Sequence, residues 1–182
     1  KPRGMTRTEA AQFLLRGRAF IALIVLAVFF ALVESAFLTA PNIEILIKQT
    51  ALNAILAIGM TFVILTGGID LAVGSIVGFT GIIAGALINQ GIEIAALDVV
   101  IYPHTWMVLV ISLAAGTFLG AISGFIITRF SVAPFIATLG MLLVARGLAG
   151  LINGGKTFPN LIGKEELGNT GFAELGTGGL LG

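Results

Sequence analysis

A few polar side chains interrupt long apolar stretches of this 182-residue chain, and they limit the chemistry it can perform. Inside lipid each needs a partner or a water-lined cavity. If its helix enters a bilayer at Ile43, Asn53 lies roughly 15 Å deep, close to the midplane. Gln49 lies one turn before Asn53, and Met60 falls on the same stripe. This stripe is either an interhelical hydrogen-bonding site or one wall of a polar path.

Asp70 follows a glycine pair, Gly67 and Gly68, at the end of the same apolar run. The local interpretation of the carboxylate is an N-terminal cap and dipole partner for the next helix. The glycines allow a backbone bend without side-chain clash, which is tolerable at membrane depth only where protein or water covers the freed carbonyls. The pattern predicts a purposeful helix break or hinge.

Arg146 interrupts the last apolar run about 24 Å along a helix from Phe130. At that depth its long side chain can reach the outer interface. It is either an anchor or salt-bridge partner, or part of an external mouth. Pairing with Asp70 would require the chain to re-enter the membrane at the glycine pair.

The sequence contains no recognisable catalytic constellation. It lacks paired histidines at helical spacing and a nucleophile elbow. It has no cysteine, and its one histidine, His104, lies in a loop where a surface role is expected. The net charge of +1 argues against nucleic acid. We therefore expect no catalytic residue, no metal and no cofactor in this chain. The energy for any activity is expected to come from an ion gradient or from another protein.

The elements that position these residues are predicted to be membrane helices. Hydrophobic residues make up 57% of the chain and charged residues 10%, against roughly 25% in soluble domains. Because a span needs roughly 20 apolar residues, the pattern predicts an all-α, polytopic transmembrane helix bundle over 19–152. Its five spans are expected at about 19–38, 43–66, 71–89, 105–128 and 131–152.

The distribution of basic residues predicts the orientation, because short cytoplasmic loops are enriched in Lys and Arg. Five basic residues precede the first span, and Arg129 lies in the tight turn between the fourth and fifth spans. Only Lys156 and Lys164 follow the fifth span. The N-terminus is therefore expected in the cytoplasm and the tail, 153–182, in the periplasm.

The first span also has the outline of a signal peptide, with a basic start and an apolar core. The apolar stretch continues past Glu34 to Leu38, so an uncleaved helix is the preferred interpretation. Residues 1–18 form either a short amphipathic helix at the lipid surface or a basic, partly disordered arm. Both alternatives place this segment on the cytoplasmic face.

Glycine, with 25 residues, recurs at four-residue spacing in the third and fourth spans. Small residues at this interval let helix backbones approach closely in lipid. Alternatively, glycine is simply common in membrane helices. The glycines predicted to pack helices together are Gly74, Gly78, Gly81, Gly85, Gly116, Gly120 and Gly124.

Two segments and a short motif carry a resemblance to a known family. The run Asn53 to Ser75, with Gly-Met-Thr-Phe-Val-Ile-Leu-Thr-Gly-Gly-Ile-Asp-Leu-Ala-Val-Gly-Ser at its centre, resembles the signature of the ribose-type permeases of bacterial ABC sugar importers. The run Ala133 to Gly147 resembles a later motif of that family, and Asn153-Gly-Gly fits as well. Ala72 stands where relatives often carry serine.

The resemblance implies a permease subunit of a bacterial inner-membrane importer for a monosaccharide or related polyol. Such a subunit dimerises with a second permease subunit, binds two cytoplasmic ATPase subunits that use ATP and magnesium, and receives sugar from a periplasmic binding protein. The family has about ten helices, so the chain is expected to be the N-terminal half.

The resemblance also implies roles for particular residues in alternating access. Gln49, Asn53, Met60 and Thr61 are path candidates, Gly67 and Gly68 with Asp70 are the hinge or break, and Arg146 lies near the external mouth. The competing class is half of a secondary transporter or channel, with Asn53 and Asp70 as ligands. A membrane-embedded scaffold is the third alternative.

Overall fold

A computed structural model describes residues 17–96 and 98–177 of the chain. The chain divides into two compact units, Lys1–Ile58 and Gly59–Gly182. The described residues are mostly helical, as the sequence predicts. The predicted segment 1–18 lies almost entirely outside the described residues, as does the end of the tail.

The first unit contains helix α1, Arg18–Val33, and the first part of helix α2, Ala40–Leu65. Helix α1 has no buried residue, as expected for a helix that is apolar all round and needs a nonpolar surrounding. It ends at Val33 rather than near residue 38, because Glu34 adopts an extended conformation and accepts a bond from Ala36 N. Asn42 then bonds the Phe37 carbonyl with its Nδ2, 2.7 Å away, at the start of α2.

The second unit contains the end of α2 and all later elements. Helix α3 is followed by a two-stranded antiparallel hairpin, two long helices, a 3-10 turn and a short last helix. Their bounds are α3 Val73–Asn89, β1 Ile92–Ile94, β2 Val99–Ile101, α4 Thr105–Phe130, α5 Pro134–Ile152, the 3-10 turn Glu165–Leu167 and α6 Phe172–Thr177. The hairpin pairs Ile92 with Ile101 and was not anticipated in the all-α prediction.

Helix α3 is the centre of this unit and packs against both α4 and α5. One buried cluster joins Ala72 and Phe79 to Leu119, Met141 and Ala145. A second cluster, nearer the other end of α3, contains Ala84, Leu87, Ile88 and Val108, and side chains of the tail cover it. Helices α3 and α4 approach each other closely at Gly116, because a Cβ there would lie 2.7 Å from Thr80 Cγ2 of α3.

Among the described residues, three helices are long and apolar enough to cross a membrane: α2, α4 and α5. Helices α1 and α3 are apolar but have only 16 and 17 residues. Most large apolar side chains are exposed, including Phe62, Phe118 and Leu151. Such a surface requires lipid or further protein around it.

The described part of the tail, 153–177, folds back against helix α3. Asn169 is fully buried, accepts a bond from Lys164 N at 2.8 Å and donates its Nδ2 to the Ile88 carbonyl at 2.9 Å. Asn89 donates its Nδ2 to the Asn160 carbonyl at 3.0 Å. These bonds fix residues 160–169 against the C-terminal end of α3.

Candidate functional site

The break after α2 is a glycine-terminated helix end. Gly68 N donates to the Val63 carbonyl and Gly67 N to the Ile64 carbonyl, each at 2.9 Å, while Gly67 has φ of 76°. This pair of bonds is the Schellman motif, which satisfies the last carbonyls of a helix and requires a left-handed residue. Glycine fits that residue because it has no Cβ.

Asp70 organises the start of α3. Its Oδ1 accepts a hydrogen bond from Ala72 N at 2.7 Å, and Ala72 is the residue that precedes the first helical position. Asp70 thus holds the approach to the helix, two residues before the position of a true N-cap. The N-cap is therefore Ala72 rather than the expected Asp70, and Ala72 has no side-chain acceptor to cap the helix. Asp70 instead accepts from the backbone of the N-cap residue.

The break is attached to helix α5 by a side chain that the sequence did not single out. The buried Thr138 hydroxyl lies 3.1 Å from the Ile69 carbonyl and 2.8 Å from the Pro134 carbonyl of its own helix. Gly68 also lies beside α5, since a Cβ there would be in ordinary van der Waals contact with Pro134 Cβ, at 3.7 Å. The segment between α2 and α3 is therefore held in place by α5.

A cavity of about 380 Å³, here called the break cavity, opens beside this segment. Four elements surround it: the end of α2, the start of α3, the end of α4 and the start of α5. Its lining residues are Val63, Thr66, Gly68, Ile69, Asp70, Ile76, Gly120, Ser123, Gly124, Ile127, Thr128, Pro134 and Thr138.

The polar side-chain groups of the break cavity are one carboxylate and four hydroxyls. Thr66 Oγ1 donates to the Val63 carbonyl, Ser123 Oγ to Leu119 and Thr128 Oγ1 to Gly124, at 2.8, 3.3 and 2.8 Å. Thr138 behaves in the same way toward Pro134. Every hydroxyl proton is thus engaged by the backbone, whereas the oxygen lone pairs remain available.

The four path candidates do not line the break cavity. Gln49 and Asn53 are exposed on the part of α2 that belongs to the first unit, and Met60 is half-buried. Thr61 is exposed and is not without an interaction partner. Their assignment to a path stays a prediction, whereas Gly68 and Asp70 of the predicted break do meet at one cavity.

Arg146 is exposed on α5 and forms no ion pair within residues 17–96 and 98–177. The salt-bridge alternative therefore has no partner in the part of the chain that is described. An anchoring role and a role at an external mouth both stay predictions.

The predicted packing glycines differ from one another. A Cβ at Gly116 would crowd Thr80, so this glycine allows α4 to pack closely against α3. A Cβ at Gly85 would lie 2.7 Å from Phe158 Cγ, so this glycine allows the tail to pack closely against α3. At the remaining five, such a Cβ would have no neighbour within 4 Å; they are Gly74, Gly78, Gly81, Gly120 and Gly124. Gly120 and Gly124 line the break cavity.

Within the described residues, no group of three or more His, Cys, Asp and Glu could hold a metal.

Comparisons with known proteins identify the family of this chain. A family model described as branched-chain amino acid transport system / permease component matches residues 42–174. A ribose import permease protein of Haemophilus influenzae is 37% identical over 96% of this chain and 50% of the relative. The Bacillus subtilis ribose import permease protein is 36% identical over 90% of this chain and 46% of the relative.

A xylose transport system permease protein of Escherichia coli is 34% identical over 88% of this chain and 39% of the relative. The chain spans half or less of the length of these curated relatives. No solved structure matches it. The resemblance drawn from the break motif is confirmed: the chain belongs to the family of membrane permeases described as the branched-chain amino acid transport system / permease component.

Proposed function

We propose that the chain is the N-terminal part of the permease subunit of a bacterial ABC-type sugar importer. It forms part of the translocation path for a monosaccharide or related small polyol. The observation that carries this proposal is the similarity, over 88–96% of the chain, to permeases named for ribose import and xylose transport. Both names denote pentoses.

ATP binding and hydrolysis belong to partner subunits in this proposal, and the permease itself is not an enzyme. Two cytoplasmic ABC ATPase subunits use ATP and magnesium, a second permease subunit completes the transmembrane part, and a periplasmic sugar-binding protein delivers the solute. The run Gly150 to Thr157 has the Gly-x-x-x-x-Gly-Lys-Thr spacing of a phosphate-binding loop, but it begins inside helix α5, whereas such a loop joins a strand to a helix. This context supports the division of labour.

The proposed location is the bacterial inner membrane, with the N-terminus in the cytoplasm and the tail in the periplasm. The ends of α2 and α4 and the starts of α3 and α5 would then face the cytoplasm. Arg129, at the end of α4, supports this orientation because positive charge favours the cytoplasmic side. The break cavity would be the inner portion of the path, and Gly67 with Gly68 its hinge.

Uptake by proteoliposomes tests the function. The full-length permease that contains this chain is reconstituted with its ATPase and binding protein, and uptake of radiolabelled D-ribose and D-xylose is measured. Uptake of either sugar that requires all three components and hydrolysable ATP supports the importer. Uptake driven by an ion gradient without the ATPase would instead identify a secondary transporter, and failure to transport either pentose under any condition would refute a pentose as the substrate.

A further inference from the structure

We propose that the break cavity is a transient binding subsite for a neutral, polyhydroxylated solute. Asp70 and the hydroxyl oxygens of Thr128 and Thr138 accept hydrogen bonds from the hydroxyl groups of that solute. This inference rests on the proposed function, because it names a place in the path where the transported molecule pauses.

The first argument is the direction of the hydrogen bonds. All four hydroxyls that line the cavity have a backbone carbonyl of their own helix within donating distance. A hydroxyl has one proton and two acceptor lone pairs. Since the protons are already used, the hydroxyls offer only acceptors, and a ligand that binds to these hydroxyls must bring the donors.

The second argument is the Asp70 carboxylate. One of its oxygens accepts from Ala72 N, and no Lys, Arg or His of the described residues forms an ion pair with it. An ionised carboxylate has about four acceptor positions, so most of its capacity is unused. Next to apolar walls such a group is costly unless a donor satisfies it.

The third argument is the shape and character of the walls. Val63, Ile69, Ile76, Ile127 and Pro134 make the lining predominantly apolar. A monosaccharide has C–H faces that pack on such surfaces and O–H edges that meet acceptors. The volume of about 380 Å³ lies within the range of about 300–1,000 Å³ that small-molecule sites occupy.

A metal cation fits this lining less well. Calcium takes about six to eight oxygen ligands at 2.3–2.6 Å, and the cavity has a single carboxylate. No cluster of three acidic, His or Cys side chains occurs among the described residues. The occupant that we propose is therefore a neutral polyol rather than a divalent metal ion.

Two conservative variants probe the subsite, each with a matched control. Asp70→Asn removes the charge and keeps an oxygen that can accept from Ala72 N, and Asp98→Asn makes the same change in the hairpin turn. Thr128→Val removes a cavity hydroxyl. Its control is Thr117→Val, because Thr117 is on the same helix, also exposed, and bonds the Leu113 carbonyl at 2.8 Å outside the cavity.

The measurement is saturation-transfer NMR of D-ribose on the full-length permease in lipid nanodiscs, without ATPase or binding protein, in sodium and in choline buffers. We expect saturable binding by the unaltered permease in both buffers. Asp70→Asn weakens the hydrogen bonds to the solute because charge-assisted bonds are about twice as strong as neutral ones. Thr128→Val removes one acceptor altogether. Each variant should therefore raise Kd about three- to tenfold. Asp98→Asn and Thr117→Val should leave it within about twofold.

Three outcomes overturn the subsite: no binding by the unaltered permease, equal binding by all variants, or binding that requires sodium. Elution volume and helix content verify that each variant is folded, and either cavity variant alone suffices to decide. ATP-dependent uptake with unaltered binding in the cavity variants would refute this inference and leave the proposed function standing. Absence of ATP-dependent uptake would refute the function itself.

Discussion

The Thr138 hydroxyl lies 3.1 Å from the carbonyl of Ile69, and this contact joins helix α5 to the irregular segment between α2 and α3. The same hydroxyl has the Pro134 carbonyl at 2.8 Å as a second acceptor. The Phe135 carbonyl lies within reach as well, at 3.4 Å. The contact with Ile69 can therefore be lost without leaving the donor unsatisfied. The break is thus held by a bond that costs little to release.

Thr138→Val should weaken this attachment. It keeps the volume of the side chain but removes the hydroxyl that donates to the Ile69 carbonyl. Hydrogen bonds between membrane helices are worth about 0.6–2 kcal/mol, so a loss of about 1 kcal/mol is expected. The free energy of unfolding of the full-length permease in mixed micelles measures it.

Thr138→Ser is the matched control, because it retains the hydroxyl and should recover most of the stability. Equal losses in the valine and serine variants would show that methyl packing, and not the bond to Ile69, is responsible.

Gly67→Ala should destabilise the end of α2. The φ of 76° at Gly67 places it in the left-handed region, where a Cβ costs roughly 1–2 kcal/mol. The Schellman bonds of Gly67 and Gly68 would lengthen, and a lower melting temperature of the full-length permease reports the loss.

Gly59→Ala provides the comparison. Gly59 lies inside α2 with open space around it, and alanine gains up to about 1 kcal/mol there from helix propensity. If both variants were stabilised, Gly67 would not need its left-handed conformation.

The break was predictable because glycine and aspartate, the residue types at Gly67, Gly68 and Asp70, have strong preferences for particular local backbone conformations. Glycine supplies the left-handed residue, and a short carboxylate accepts from a backbone N–H two residues on. Thr128 and Thr138 were missed because threonines inside an apolar run give no signal until neighbouring helices are placed. The relevant contact, Thr138 to Ile69, joins residues 69 positions apart.

The helices were predictable from apolar run length, and the expected fourth span, 105–128, falls on α4. The hairpin was not, because strands of three residues are too short for alternation to be read. Likewise, the fold of the tail depends on Asn169, whose bond to the Ile88 carbonyl connects residues 81 positions apart.

Gly116→Ala should separate α3 from α4. A Cβ at Gly116 would lie 2.7 Å from Thr80 Cγ2, and Thr80 is restrained by its own bond to the Val77 carbonyl at 2.9 Å. Overpacking of this kind costs about 1–3 kcal/mol, which thermal denaturation of the full-length permease should detect. Gly120→Ala is the control, because a Cβ at Gly120, one turn along α4, would have no neighbour within 4 Å, and this variant should be neutral or stabilising. A lower melting temperature for Gly120→Ala than for Gly116→Ala would contradict the close packing of α3 and α4 at Gly116.

Asn169→Ala should release the tail from α3. The fully buried side chain bonds Lys164 N and the Ile88 carbonyl, and each group left unsatisfied costs about 1–3 kcal/mol. Limited proteolysis of the full-length permease should then cut within residues 156–168 several times faster.

Asn160→Ala is the control for the tail. Its exposed side chain accepts a longer bond, 3.4 Å, from Ile162 N, while its backbone carbonyl, which holds Asn89, is kept. Cleavage at the rate of the unaltered protein is expected. Equal cleavage of both variants would mean that Asn169 does not secure the tail.

The orientation of the helices can be read with single cysteines, because this chain contains none. Ser131→Cys marks the turn between α4 and α5 and exchanges one atom, and Thr157→Cys marks the exposed start of the tail. Since Arg129 flanks the turn, the turn should be cytoplasmic and the tail periplasmic. In a full-length permease free of other cysteines, a membrane-impermeant maleimide added to intact spheroplasts should label Thr157→Cys, and label Ser131→Cys only after lysis. The reverse pattern would invert the topology and move the break cavity to the periplasmic end, where a cytoplasmic hinge at Gly67 and Gly68 could not operate.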